Sequence, residues 1–204
     1  SSALSNQHQI RTGGGNGNML FLEAVGATGI IAMKTAGDER LRITSGGQVR
    51  IANTDFTTSS SADDLIVGTT SGSRGLTIFS GSGNTGNIFF GDTNTSGVEN
   101  RMGTITYDHS ENYMRFSTSG NDEKVRIHSG GNVSIGTTIA NEKVHIHTES
   151  SLKAQQQFTN TTTGTGAGDG LVIGITGGEE AIFWNQEDTD MVFATDNTER
   201  LRIT

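Results

Sequence analysis

The chain has 204 residues, 92 of them Gly, Thr, Ser or Asn, and hydrophobic residues make up 31%, well below the roughly 45–50% of an ordinary globular domain. It has no Cys and no Pro, and a net charge of −8. These numbers exclude a disulfide framework, thiolate chemistry and Cys-ligated zinc. They also argue against a basic groove for nucleic acid, which needs clustered Lys and Arg. No apolar run reaches the roughly 18 residues of a transmembrane helix, so membrane insertion is not expected, and no charged-then-apolar leader opens the chain.

In chain order, residues 20–33 are the most ambiguous. Leu20, Glu23, Ala24 and Met33 favour helix, but Gly26 and Gly29 interrupt the run, and comparison with later segments predicts a hairpin there. The phrase Asp38-Glu39-Arg40-Leu41-Arg42-Ile43-Thr44 follows. It recurs as Asp122-Glu123-Lys124-Val125-Arg126-Ile127-His128 and as Thr198-Glu199-Arg200-Leu201-Arg202-Ile203-Thr204. The first two copies continue through Ser-Gly-Gly to Val49-Arg50-Ile51 and Val133-Ser134-Ile135. Period two places Leu41 and Ile43 on one strand face with Arg40 and Arg42 on the other. The glycine pair predicts a tight reversal into a second short strand. Glu39, Glu123 and Glu199 stand three residues before Arg42, Arg126 and Arg202, and structural ion pairs on the outward face are expected.

Further echoes link Leu65-Ile66-Val67-Gly68-Thr69-Thr70 to Ser134-Ile135-Gly136-Thr137-Thr138, and Gly75-Leu76-Thr77-Ile78 to Gly170-Leu171-Val172-Ile173. Ile105 and Tyr107 precede Met114 and Phe116 across a polar loop, as Ile182 and Trp184 precede Met191 and Phe193. Each set reads as a β-hairpin. Residues 151–158 are locally helix-tolerant, yet no convincing helix is found. The repeats divide the chain at 1–54 (partial), 55–138 and 139–204, the last stopping mid-repeat, so a longer protein is expected.

Each strand offers an apolar stripe only two or three residues long. A single-chain solenoid would need a tight, uniform period, and here the period is long and uneven. The alternative winds identical chains about one axis, so that each stripe meets copies of itself. The expected fold is all-β: an elongated, intertwined homotrimeric shaft, triple β-helix-like, with repeated hairpin modules.

The combination Glu-Arg-Leu-Arg-Ile-x-Ser-Gly-Gly-x-Val-x-Ile, followed by Ile135-Gly136-Thr137-Thr138, resembles shaft repeats of bacteriophage tail fibres and related tailspike or appendage proteins. Residues 75–80, 87–90, Tyr107-Asp108-His109-Ser110 and residues 114–118 share the resemblance. It implies a structural virion protein, extracellular and not an enzyme, whose partners are its own copies, other tail proteins and a host surface glycan or receptor. Two departures are Ile139-Ala140, where relatives often carry Ser-Pro, and Ile51-Ala52-Asn53-Thr54, where the Gly-Thr-Thr turn is missing. Alternative readings are a receptor binder acting through loops 91–101 and 159–170, a polysaccharide-depolymerising tailspike, and a bacterial trimeric adhesin stalk.

Several motifs carry chemistry elsewhere. Gly81-Ser82-Gly83-Asn84-Thr85-Gly86 matches a dinucleotide-binding pattern, but a strand-like segment follows where that motif needs a helix. Gly14-Gly15-Asn16-Gly17 lacks the Asp of a calcium repeat, since Met19 stands there. Asp108-His109-Ser110 has the letters of a triad without room for its geometry. His145 and His147 share a strand face, and three chains would offer six imidazoles to one ion, an arrangement that the resemblance to phage fibres includes. Parity favours the opposite, with Val144 and Ile146 inward and both histidines toward water. Glu179, Glu180, Asp188 and Asp190 are the carboxylate pairs that glycan cleavage would require. Trp184, Tyr107, Phe89 and Phe90 serve either as a sugar-stacking platform or as core. No catalytic residue and no cofactor is expected.

Overall fold

A computed structural model describes residues 9–12, 20–52, 59–93, 97–150 and 152–204. It is all-β, with a single 3₁₀ turn at Val98–Arg101 among the described residues. The chain divides into two units, Ser1–Thr77 and Ile78–Thr204.

In the first unit, β1 (Gln9–Thr12) pairs with β2 (Leu20–Glu23). The ambiguous segment 20–33 is strand, turn and strand, the turn closed by Gly29 N donating to Gly26 O at 3.0 Å, but the two strands enter different sheets, so the hairpin expected there does not form. β3 (Ile31–Thr35), β4 (Asp38–Ile43), β5 (Val49–Ile51) and β6 (Leu65–Val67) form a four-stranded sheet in that order. Its first three strands are antiparallel and β6 joins β5 in parallel.

In the second unit, β7 (Thr85–Phe90), β8 (Gly103–Asp108), β9 (Tyr113–Thr118), β10 (Asp122–Ile127), β11 (Val133–Ile135) and β12 (Val144–Ile146) form one sheet in chain order. Again only the last pairing, β11 with β12, is parallel. β13 (Ala154–Phe158), β14 (Leu171–Ile175) and β15 (Ala181–Asn185) make a three-stranded antiparallel sheet, and β16 (Met191–Thr195) pairs with β17 (Thr198–Ile203). β15 and β16 lie in separate sheets, so the hairpin expected between Ile182 and Phe193 does not form, whereas the one between Ile105 and Phe116 does. The doubtful segment 151–158 is thus strand at β13; Ser151 lies outside the described residues.

The sequence repeat is a structural module. β3–β6 and β9–β12 share one plan, and β16–β17 reproduces its opening hairpin. Ile31 faces Ile43 and Met33 faces Leu41; Met114 faces Ile127 and Phe116 faces Val125; Met191 faces Ile203 and Phe193 faces Leu201. Each opening turn carries two successive left-handed residues: Ala36-Gly37, Ser119-Gly120 and Asp196-Asn197. That backbone matches the right-handed twist of a hairpin. Each module also skips one residue of its second strand, leaving Arg40, Lys124 or Arg200 unopposed as a β-bulge.

The bulge explains the ion pairs. In a regular strand residues i and i+3 point to opposite faces. One extra residue between them restores a common face, and Arg126 then grips Glu123 with two hydrogen bonds of 2.7 Å. Arg42 with Glu39, and Arg202 with Glu199, repeat the grip. The bulge carbonyl is used as well: Arg40 O accepts from Ala52 N at 2.9 Å, and Lys124 O from Gly136 N at 3.0 Å. Ala52 has φ 57 and Gly136 has φ 75, so Ala52 takes the left-handed position that the missing Gly-Thr-Thr turn provides in the next copy.

The strand pairing is offset from the repeat boundaries. β5 with β6 spans 54/55, and β11 with β12 spans 138/139. The structural counterpart of Leu65–Val67 is Val144–Ile146. Gly68 N donates to Ile51 O as His147 N donates to Ile135 O, both at 2.9 Å. The sequence echo between residues 65–70 and 134–138 links strands in different places.

Candidate functional site

Two faces of these sheets differ in chemistry. One carries the rows Ile31–Ile43–Val49–Leu65 and Met33–Leu41–Ile51–Val67 in the first unit. In the second unit the matching rows are Met114–Ile127–Val133–Val144 and Phe116–Val125–Ile135–Ile146. Ile88, Ile105 and Tyr107 extend this face onto β7 and β8. The opposite face carries Asn87, Thr106, Arg115, Arg126, Ser134 and His145 in one row.

Burial is the reverse of what a self-sufficient sheet shows. Among the described residues the fully buried side chains are Thr106 and Ser134, on the polar face. Thr106 Oγ1 donates to Asn87 Oδ1 at 2.9 Å, and Ser134 Oγ lies 3.0 Å from His128 Nε2. The apolar face is open: Leu65 is 59% exposed, Val144 55% and Leu201 54%. Among the described residues only Ile66 and Val172 are buried hydrophobics, while 28 large hydrophobic side chains are exposed. Scattered exposed Leu or Ile is ordinary, but a contiguous apolar face repeated at one register marks an interaction surface.

The ion-pair face is electrostatically settled. Hydrogen bonds from the Arg42 guanidinium hold the Glu39 carboxyl below its usual range, and the Glu123 carboxylate pushes Arg126 further up. Arg126 also lies 3.8 Å over the Tyr113 ring, and burial raises that phenol. Arg126→Ala is expected to lower stability by about 1–2 kcal/mol, because two charge-assisted bonds and a ring contact are lost from a half-buried site; the denaturant midpoint measures it. Arg202→Ala, at a more open pair, costs less. A stability unchanged in the triple Arg42, Arg126 and Arg202 variant refutes a structural role. The acid response has a definite sign. A carboxyl held low in the fold stabilises it above the ordinary carboxylate range, and that contribution disappears as pH falls through the lowered value. The midpoint therefore drops on acidification, less steeply in Arg42→Ala.

The chemistry-bearing motifs resolve into local structure. Gly81-Ser82-Gly83-Asn84 is a turn, with Asn84 N donating to Gly81 O at 2.9 Å, and β7 follows it. Gly14-Gly15-Asn16-Gly17 lies outside the described residues. Asp108 Oδ1 accepts from Ser110 N at 2.8 Å and from Glu111 N at 3.2 Å. The Ser110 hydroxyl above all, together with those amides, holds the Asp108 carboxyl low. This is an Asx turn, with His109 edge-on to Tyr107 at 4.9 Å.

Val144 and Ile146 lie on the apolar face and His145 and His147 on the other, the two imidazoles 6.2 Å apart. His145 Nδ1 is buried without a hydrogen-bond partner. Among the described residues no three His, Asp or Glu side chains gather as metal ligands. Of the carboxylates, Glu180 accepts from Thr176 Oγ1 at 3.2 Å and Asp190 pairs with Arg202.

The four aromatics are not brought together. Tyr107 and Phe90 lie on the apolar face, and Phe89 on the opposite one. Phe183 sits 6.3 Å from Phe193, so Phe183 takes the place expected of Trp184. Trp184 points to the other side of its sheet, in a row with Val172 and Gln157. There it borders a cavity of about 580 Å³ that also includes Gln155, Gln186 and Lys153. The sequence signal for this was the loop before Met191, one residue shorter than the loop before Met114 when Phe183 is matched to Ile105. A search of protein-family models and of curated proteins finds no match to the chain.

Proposed function

We propose that the chain is a structural shaft segment of a homotrimeric fibre, a phage tail fibre or similar extracellular virion appendage that holds host-recognition parts away from the particle. The observation that carries this reading is the open apolar face, repeated at the same register, bulge and turn. One module cannot bury its own stripe. Three chains about an axis enclose the three stripes, and the closed symmetry leaves no unmatched copy. The outward faces are then the ion-pair-bearing ones, on which the hydroxyls of Thr106 and Ser134 are already covered within one chain. The resemblance of the Glu-Arg-Leu-Arg-Ile repeats to tail-fibre shafts supports three chains over two. The role is mechanical: burial of apolar rows along the axis supplies stiffness, and the bulge-anchored ion pairs fix register.

The native mass of residues 1–204 tests this reading. Light scattering is expected to give three times the 21.5 kDa of one chain, persisting in mild SDS. A folded β-rich monomer overturns it, and a stable dimer overturns the threefold arrangement.

A further inference from the structure

We infer that the cavity beside Trp184 is a saccharide-binding site on the face of the β13–β14–β15 sheet that carries Gln155 and Gln157. The site lies within one chain and does not require the trimer. Trp184 is 55% exposed and stands in a cross-strand row with Val172 and Gln157. An exposed indole beside a concave surface offers a flat apolar platform with a polar edge. The volume, about 580 Å³, falls in the ~300–1,000 Å³ range of small-ligand sites.

The lining selects the ligand class. It holds three glutamines, Gln155, Gln157 and Gln186, and one cation, Lys153, with no Asp, Glu, His or Arg. A metal ion lacks ligands there, and a phosphate or nucleic acid lacks the guanidinium cluster it needs. Primary amides each carry both donors and acceptors, which suits vicinal hydroxyls, and an aromatic face suits the C–H face of a pyranose ring. Gln157 is pre-set: its Nε2 donates to Gly166 O at 2.7 Å and Asp169 O at 2.8 Å. These bonds fix its side chain and tie the 159–170 loop to the rim. Gln186 is under-committed. Its Nε2 reaches Ala167 O only at 3.5 Å and its Oε1 is buried with no partner. A buried unpartnered amide oxygen is costly, and a bound hydroxyl relieves it by reorienting the side chain.

Trp184 is the single Trp of the chain, so its fluorescence reports this site alone. The protein is titrated with lactose, cellobiose and N,N′-diacetylchitobiose. At least one is expected to shift or quench the emission saturably, with a Kd in the millimolar range, near 1 mM. Gln186→Ala is expected to weaken binding about tenfold, the loss of one or two hydrogen bonds. Trp184→Phe, followed by calorimetry, is expected to weaken it more. Unchanged emission with all three sugars up to about fifty times that Kd, or Gln186→Ala binding as tightly as the parent, overturns the proposal. Light scattering on the same sample separates the two readings: a trimer blind to sugars refutes only this site, and a sugar-binding monomer refutes only the shaft.

Discussion

Ile135→Asp is expected to abolish assembly. Ile135 lies in the Phe116–Val125–Ile135–Ile146 row and is 40% exposed in the single chain. If the chain worked alone, a carboxylate at so open a site would change stability by no more than about 0.5 kcal/mol. In a threefold shaft the same substitution brings three carboxylates into one apolar layer. Each then carries a desolvation penalty of several kcal/mol with no partner cation, and the three repel one another. The matched control is Val192→Asp. Val192 is 47% exposed but belongs to the opposite face, paired with Arg202. Scattering mass and thermal midpoint are expected to collapse for Ile135→Asp and to stay near the parent for Val192→Asp. Equal, small effects from both overturn the shaft reading.

The second large effect concerns backbone. Gly136 has φ +75, and a Cβ there would lie 2.3 Å from the carbonyl oxygen of His147. Gly136→Ala is expected to cost about 2–4 kcal/mol, since left-handed strain adds to a contact that one of two hydrogen-bonded backbones must yield. Gly47→Ala, at φ +86 with open space around it, is expected to cost only about 1 kcal/mol. The first module shows how alanine is accommodated. Ala52 holds the position of Gly136, and the residue at the place of His147 is Gly68, with φ +119, a conformation closed to histidine. Adding His147→Gly to Gly136→Ala therefore recreates the Ala52/Gly68 pair. Denaturant unfolding of the four proteins is expected to show a favourable coupling of at least about 1 kcal/mol. Simple additivity refutes this account.

Much of this architecture was legible in the residues. Alternation in Leu41-Arg42-Ile43 and Val125-Arg126-Ile127 marks strands of period two, and Ser-Gly-Gly marks the reversal after them. What alternation hides is the bulge. In Asp38-Glu39-Arg40-Leu41 a strict period puts Glu39 beside Leu41, and only the skipped Arg40 turns Glu39 toward Arg42. The parallel strands were obscured differently. Val144-His145-Ile146 and Leu65-Ile66-Val67 follow connections of unlike length and composition, so the sequence echo attached residues 65–70 to β11 instead of to β12. Trp184 fell to a single residue of loop length, because a one-residue slip moves every side chain to the other face. The open apolar face was foreseeable from the thin stripes. The cavity beside Trp184 was not, because its glutamines come from β13 and from the residue after β15, which only the folded sheet places together.

The Ala52/Gly68 and Gly136/His147 pairs also bear on fidelity of assembly. A chain of near-identical modules runs the risk of strand exchange, in which β5 recruits β12 in place of β6, within one molecule or between neighbours slipped by one repeat. The hydrophobic rows would tolerate that exchange, since isoleucine, leucine and valine stand at matching positions on both sides. The backbone would not. Mispairing sets the methyl group of Ala52 against the carbonyl of residue 147, which is the collision that glycine at 136 avoids. The reciprocal match, Gly136 with Gly68, is sterically harmless, but a complete swap forms both and cannot escape the bad one. In the shaft proposed above, a difference of one methyl group between repeats would thus reject a stagger that the apolar surfaces alone would accept.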